Sequence, residues 1–523
     1  MIRKANYDTV RLKALLAPRQ LPLQYPAPPD SALNRTGDVR VHADIPHNSS
    51  HSPDSGSGPW YRELNRYHWF VFVVAALGWL FDTMDQQLFT LARPLAMEEL
   101  ISLTDEEIAA AKAASVKPDE PADAADKRVT EKLIAKRAQY GGYATSFFLI
   151  GWATGGLFFG VLGDRWGRVR TMLVTIVMYS IFTGISAFSR NFWDFAILRL
   201  LTGLGVGGEF AVGVALVAEV MPSRARPHAL GLLQALSAVG NITAALIGMA
   251  GTGWKVMFLI GTAPALLSLL VRSRLREPER WQAVSATDGV ARQLGSYSEL
   301  FGNPLLRYRA LVGLLLACAG VIGLWGIGFF APDLQRRVFG PMLEAQGMTP
   351  DQIKAQLKFL SGITLLMTNV GAFFGIFLYS YVSQILGRRA TFAICFLGAM
   401  LATANLYWNL GKFAGTADIY WMAPLMGFFQ LSIFGGYAVY FPELFPTRLR
   451  STGTSFCYNV GRFVAAIGPY FLANLTSKVF SPERGYVGAE GFRWAGITMC
   501  SVFLIGLIAL PFAPETKDQP LPE

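Results

Sequence analysis

The chain has 523 residues, of which 52% are hydrophobic and only 16% charged, against roughly 25% charged in ordinary soluble domains. That balance excludes a string of water-soluble domains, a disordered chain and a disulfide scaffold. The formal net charge of +10 suits either a nucleic-acid surface or a membrane topology signal, and the location of the charges decides between them.

Residues 1–66 are polar and rich in Pro, Ser, His and Arg, with no apolar run of signal-peptide length. A disordered cytoplasmic tail is expected there. From Trp69 onward, apolar stretches of roughly 20 residues, the length that crosses a bilayer, recur twelve times: 69–94, 140–162, 170–189, 192–219, 228–250, 254–272, 309–331, 359–384, 390–410, 418–441, 451–475 and 493–513. They must be helices, because an open strand leaves backbone groups unpaired in lipid. The insertion at 98–139, rich in Ala, Asp, Glu and Lys, predicts short solvated helices around a break at Lys117–Pro121. The expected organisation is an N-terminal six-helix bundle (67–272), a cytoplasmic linker (273–307), a C-terminal six-helix bundle (308–513) and a cytoplasmic tail (514–523). Cys318, Cys395, Cys457 and Cys500 lie inside apolar runs and read as small buried hydrophobes.

With the N-terminus inside, the inner loops carry Arg165, Arg168 and Arg170, then Arg224 and Arg226, a series of arginines in the linker, Arg388 and Arg389, and Arg448 and Arg450. Most outer loops carry far fewer. The surplus is therefore a topology signal, which predicts a multi-pass protein of the cytoplasmic membrane with both termini inside and leaves no role for nucleic acid.

Two segments repeat. Glu219-Val-Met-Pro-Ser-Arg224-Ala-Arg226 matches Glu443-Leu-Phe-Pro-Thr-Arg448-Leu-Arg450, and Gly167-Arg168 in the loop after the second span matches Gly387-Arg388 after the eighth. The two offsets are nearly equal, so the halves are related and pack around a central axis with a cavity between them. The loop Gly160-x-x-x-Asp164-Arg165-x-Gly167-Arg168-x-Arg170 and the run Arg199-x-x-x-Gly203-x-Gly205-x-Gly207-Gly208 resemble signature motifs of the major facilitator superfamily. Glu277-Pro278-Glu279-Arg280-Trp281 and Pro514-Glu515-Thr516-Lys517 are similar to sugar-porter segments. Asp82-Thr83-Met84-Asp85, Gly207-Gly208-Glu209 and Asn459-Val-Gly461-Arg462 resemble the branch of sialate, aromatic-acid and metabolite proton symporters. The resemblance implies an all-α membrane protein of twelve helices in two pseudo-symmetric bundles, and a transporter rather than an enzyme.

Charged groups inside spans are costly and hence functional candidates. Asp82 and Asp85 share one helical face by their i, i+3 spacing, and Glu209 lies in the fourth span. Burial disfavours the charged form of a carboxylate, and no histidine lies well inside a span, so these three are the expected proton-coupling groups. Glu209 has the alternative of pairing with an arginine inside the bundle. Arg462 sits roughly 18 Å from the inner end of its span, near the midplane. Its guanidinium stays charged when buried and grips a carboxylate bidentately, which makes it the expected substrate-anion contact. Arg199 is the second cation to weigh for that role, and Arg93 reads as a snorkelling residue or a contact. Gln86, Asn369, Gln430 and Asn459, with Trp325 and Tyr437 as ring partners, complete the expected substrate-binding set. Gln87, Gln234 and Asn241 are weaker candidates. Asp164, Arg165, Gly167, Arg168, Glu219, Arg224, Glu443 and Arg448 are expected at the inner surface, in ion pairs that latch the bundles in one state.

No nucleotide-binding loop occurs, and no cofactor or metal is expected. The expected activity is proton symport of a small organic anion (an aromatic acid, sialic acid or a monocarboxylate) by a monomer. Sugar transport and ligand sensing without transport are the alternatives.

Overall fold

The computed structural model is described over residues 59–113, 124–263, 274–287, 293–465, 468–481 and 484–522, and the described elements fall in the unit Gly58–Glu523. They are helices and turns, with no strand among the described residues. The first half comprises α1 (Arg66–Leu100), α2 (Asp105–Ala113), α3 (Ala124–Trp166), α4 (Arg168–Ser186), α5 (Phe192–Val220), α6 (Arg226–Met249) and α7 (Trp254–Ile260). The linker contributes α8 (Glu279–Ser285) and α9 (Tyr297–Gly302). The second half comprises α10 (Pro304–Ile322), α11 (Ala331–Ala345), α12 (Pro350–Leu386), α13 (Arg388–Asn409), α14 (Ile419–Leu444), α15 (Arg450–Ala465), α16 (Gly468–Asn474), α17 (Glu490–Met499) and α18 (Val502–Ala509).

Ten helices among the described residues are long and apolar enough to cross a membrane. Two of the twelve expected spans are not among them. The stretch 254–272 runs past residue 263, outside the described residues. The stretch 451–475 includes residues 466–467, outside the described residues, and its described first part, the 16-residue α15, is rich in Ser and Thr and carries Asn459 and Arg462.

Local chemistry sets the helix starts. Asn65 accepts from the His68 amide at 2.8 Å while His68 Nδ1 accepts from the Asn65 amide at 3.3 Å, a reciprocal cap on α1. Thr349 and Gln352 do the same for α12. Within each half the helices close backbone to backbone through glycine. A Cβ on Gly155 of α3 would stand 2.5 Å from the Cα of Leu204, and one on Gly371 of α12 would stand 2.6 Å from the Pro424 carbonyl carbon. Across the halves, α3 packs on α15 and α6 on α12.

The repeat read in the sequence recurs in the bonding. Gly167 (φ 110°) and Gly387 (φ 88°) turn the chain into α4 and α13, a backbone region open chiefly to glycine. The Glu277 carboxylate accepts from the amides of Arg168, Val169 and Arg170 at 2.7 to 3.2 Å, and Glu515 accepts from those of Arg388 and Arg389 at 2.9 and 3.1 Å. Each is an anion on a helix N-terminus. Arg168 pairs with Glu219 and Arg388 with Glu443, both at 2.9 Å.

Three expectations change. The tail expected as disordered to residue 66 carries structure from Pro59: a short turn, Trp60–Glu63, places Trp60 against His228 with ring centroids 5.4 Å apart and donates its indole N–H to Tyr381 at 3.0 Å. Residues 1–58 lie outside the described residues. In the insertion, the C-terminal part is no separate short helix but the start of the 43-residue α3. Its Ala, Lys, Glu and Arg favour helix, and the helix runs on through Gly141 and Gly142 into the span. The break expected at Lys117–Pro121 lies outside the described residues. The third change concerns Tyr437, described with the site.

Candidate functional site

Asp82 and Asp85 on α1 and Glu209 on α5 are at most 1% exposed, so none faces lipid. Glu209 and Met172 of α4 both lie against Gly78 of α1. Asp85 lies beside Thr183 and Gly261 and feels the charge of Arg199. These contacts place the carboxylates in a seam among α1, α4 and α5, inside the first half. Asp82 accepts a long bond from Gln86 at 3.4 Å. Its other oxygen, both oxygens of Asp85 and both of Glu209 have no hydrogen-bond partner among the described residues. Unpartnered buried carboxylates are costly in the charged form.

Arg199 is wholly buried in the same half. It donates to Ser186 Oγ at 2.5 Å, and its guanidinium lies 4.5 Å from the ring of Phe258. It is enclosed by its own bundle and does not reach the boundary between the halves. Arg93 donates to Thr145 at 2.6 Å and ties α1 to α3.

Arg462 is different because groups from both halves touch it. Its guanidinium lies between the rings of Trp152 on α3, at 3.9 Å, and Tyr458 on α15, at 4.1 Å. One nitrogen donates to Asn459 Oδ1 at 2.7 Å and to the Tyr458 carbonyl at 3.2 Å, while Nε has no partner among the described residues. Tyr458 stacks on Phe210 at 4.1 Å, and Phe210 meets Trp79 at 4.8 Å. The indole N–H groups of Trp79 and Trp152 are likewise unpartnered there. Trp325 approaches Trp152 edge-on at 6.2 Å, and Asp82 feels the charges of Arg462, Glu209 and Asp85. The result is a cation with donor capacity left over, walled by aromatic faces and linked electrostatically to the carboxylate seam.

Other expected ligands serve packing. Asn369 accepts from Asn241 at 3.0 Å and joins α12 to α6. Gln430 donates to Thr403 at 2.7 Å. Tyr437 is fully buried, with its hydroxyl on the Leu316 carbonyl at 2.6 Å and its ring stacked on Phe441. Tyr437 belongs to the interior of the second half, a correction to the expected substrate set: an aromatic in a span satisfies its hydroxyl on a neighbouring helix more readily than on a ligand, whereas Gln430 keeps its Oε1 without a partner among the described residues. Trp79, Trp152, Phe210 and Tyr458 were missed. Only Tyr458 carried a signal, standing one turn before Arg462 on the same face.

At the end of the molecule bearing Arg165, Arg168 and Arg170, hereafter the basic face, an ion pair and several hydrogen bonds cross between the halves. Arg168 pairs with Asp164 at 2.8 Å and with Glu219 at 2.9 Å, and Glu219 also pairs with Arg450 of the other half at 2.8 Å. The Asp164 carboxylate accepts from the amides of Ser451 and Thr452 at 3.1 and 2.8 Å and from the Thr452 hydroxyl at 2.6 Å, so a side chain of α3 caps α15. Arg165 and Arg448 both hold the linker, through Leu294 and Glu299. Glu443 pairs with Arg388 in its own half and does not cross. Arg224 makes an exposed pair with Glu63, and Gly167 serves the turn.

The model of the Major Facilitator Superfamily matches residues 75–469. The chain belongs to that superfamily. Among superfamily relatives, a putative metabolite transport protein of Haemophilus influenzae is 30% identical over 390 residues, covering 73% of this chain and 88% of that protein. The cis,cis-muconate transport protein of Acinetobacter baylyi is 29% identical over 387 residues, covering 72% and 86%. The solved structure of the proton:xylose symporter XylE superposes with a TM-score of 0.63 at 18% identity, covering 87% of this chain and 98% of that one, a likeness of fold. Superfamily members consist of two six-helix bundles. This one is a multi-pass membrane transporter of a small molecule, not an enzyme.

Proposed function

We propose that the protein is a proton symporter of a small organic anion in the cytoplasmic membrane, with both termini and the basic face inside. The observation that carries this reading is Arg462, held between aromatic faces from both halves with an Nε that has no partner among the described residues. A carboxylate arriving there gains a charge-assisted hydrogen bond that no described residue supplies to Nε. The anion's charge also acts on the Asp82, Asp85 and Glu209 seam, so proton uptake there favours anion binding and the reverse follows by linkage. Each ligand then shifts the alternating-access equilibrium by its differential affinity for the two states. The relative that carries cis,cis-muconate, a dicarboxylate, supports the choice of anion. Glu277 and Glu515 of the sugar-porter-like segments cap helices, so these residues give sugar transport no support as ligand contacts.

The test is uptake into liposomes under an imposed pH gradient, with labelled benzoate, 4-hydroxybenzoate, nicotinate, cis,cis-muconate, sialate and xylose. Acid uptake accelerated by an inward proton gradient is expected, together with its loss in Arg462→Gln. Asp85→Asn is expected to retain anion exchange at equal pH while losing stimulation by the gradient. Xylose uptake that survives Arg462→Gln, with no acid transported, overturns the reading.

A further inference from the structure

The orientation of Arg462 is set by a chain of hydrogen bonds that begins in the other half. Ser455 Oγ donates to the Gly156 carbonyl of α3. Its lone pair accepts from Asn459 Nδ2 at 3.0 Å, and the same Nδ2 donates to the Ser455 carbonyl at 3.1 Å. Asn459 Oδ1 is thereby turned to accept from Arg462 at 2.7 Å. The steps run i, i+4 and then i, i+3 along one face of α15. Each has a fixed direction: with the Asn459 amide reversed, its NH2 would face the guanidinium, donor against donor. Gly156 makes the approach possible, since the space a Cβ would need is occupied by the Asn459 side chain. Trp152, whose face covers the guanidinium, stands on α3 one turn before Gly156.

Among the described residues, the first-half groups that orient Arg462 through this chain and cover its guanidinium, Gly156 and Trp152, both sit on α3, at its seam with α15. That seam is closed in this structure, and the Asp164 latch closes it at the basic face. We infer that Ser455 and Asn459 are positioning residues that make the grip of Arg462 on an anion depend on closure of the α3–α15 seam. When the seam parts, the Ser455 hydroxyl loses the Gly156 carbonyl and turns freely, the Asn459 amide is released, and the Trp152 face withdraws. The anion site then weakens on the side where its occupant must leave, which converts opening into release. Asn459 becomes a residue acting through Arg462 rather than a substrate contact.

The inference rests on Arg462 being the anion site. The experiment uses the full-length protein in liposomes with the six labelled compounds of the transport test. Ser455→Cys, which keeps the packing and weakens the hydrogen bonds, is expected to raise KM for the transported acid about 5- to 20-fold with the maximal rate within about threefold. Ser455→Thr, which keeps the hydroxyl, is expected to restore KM. A purely structural serine gives the opposite order, with Cys tolerated and Thr harmful on volume. Wild-type KM in Ser455→Cys, alongside loss of uptake in Arg462→Gln, overturns the relay and leaves the anion site standing. Uptake that persists in Arg462→Gln, or no acid uptake by the wild type, removes the anion site and the relay with it.

Discussion

At the scale of single residues, the site is a matter of which buried polar atoms are left without partners. Tyr437 and Asn369 are polar groups in spans, and each finds its bond on a neighbouring helix, while Gln430 bonds through Nε2 only and its Oε1 has no partner among the described residues. Among the described residues, Arg462 has no partner for its Nε and no carboxylate within ion-pair distance, and ring faces stand against its charge. Such a cation–π contact is worth ~2 kcal/mol when desolvated. Trp152→Ala is thus expected to weaken acid transport by roughly 10- to 30-fold in kcat/KM, and Trp152→Phe to recover most of it. Equal loss in both variants would mean that the indole N–H, not the ring face, makes the contact.

At the scale of elements, four acidic side chains do what the helices cannot do for themselves. The N-terminal amides of α4, α13 and α15 have no intrahelical acceptor, and Glu277, Glu515 and Asp164 supply one. For Glu515, burial pushes the carboxyl up, but the amides of Arg388, Arg389 and Lys517 outweigh it and hold the group below its ordinary range. A carboxylate depressed in the folded state stabilises the fold above its unfolded value and loses that contribution as pH falls through the folded one. Glu515→Gln is accordingly expected to lower thermal stability in detergent at neutral pH, on the scale of a helix cap (~1 kcal/mol). The difference from wild type should vanish in acid. A difference that persists unchanged at acid pH would assign the loss to packing. The fourth, Glu443, joins Arg388 to Thr516 and so ties α13 and α14 to the C-terminal segment.

At the scale of the whole molecule, the pseudo-symmetry is unequal where it matters. Asp164 latches α3 to α15, whereas the side-chain amide of the corresponding residue, Gln384, lies against Arg388 within its own half. The second seam, α6 to α12, has the Asn241–Asn369 bond and Trp60, which touches His228 on α6 and Tyr381 on α12. Breaking one partner of a fully buried pair costs about 3–5 kcal/mol. Asp164→Asn is therefore expected to open the basic face, read as longer distances between spin labels at the basic ends of α3 and α15. Trp60→Ala is expected to widen α6–α12 by a smaller amount, because only a hydrogen bond and ring stacking are lost. Unchanged distances in Asp164→Asn would show that the seam is held by helix packing instead.

Much of this was legible in the chain. The periodic apolar stretches fix helices because lipid offers the backbone no partner. The matched Glu219 and Glu443 segments disclose two related halves, and Asp82, Asp85, Glu209 and Arg462 stand out because charge in a span is expensive. Which of these groups meet is another matter, since contact depends on how helices far apart in sequence cross and rotate. Tertiary packing alone put Trp152 over Arg462, confined Arg199 to one bundle, gave Tyr437 to the interior and brought Trp60 onto two helices. It also decided that Glu219 crosses between the halves while its repeat, Glu443, does not: both sit in the same local sequence, and only the arrangement of the bundles places Arg450 within reach of one.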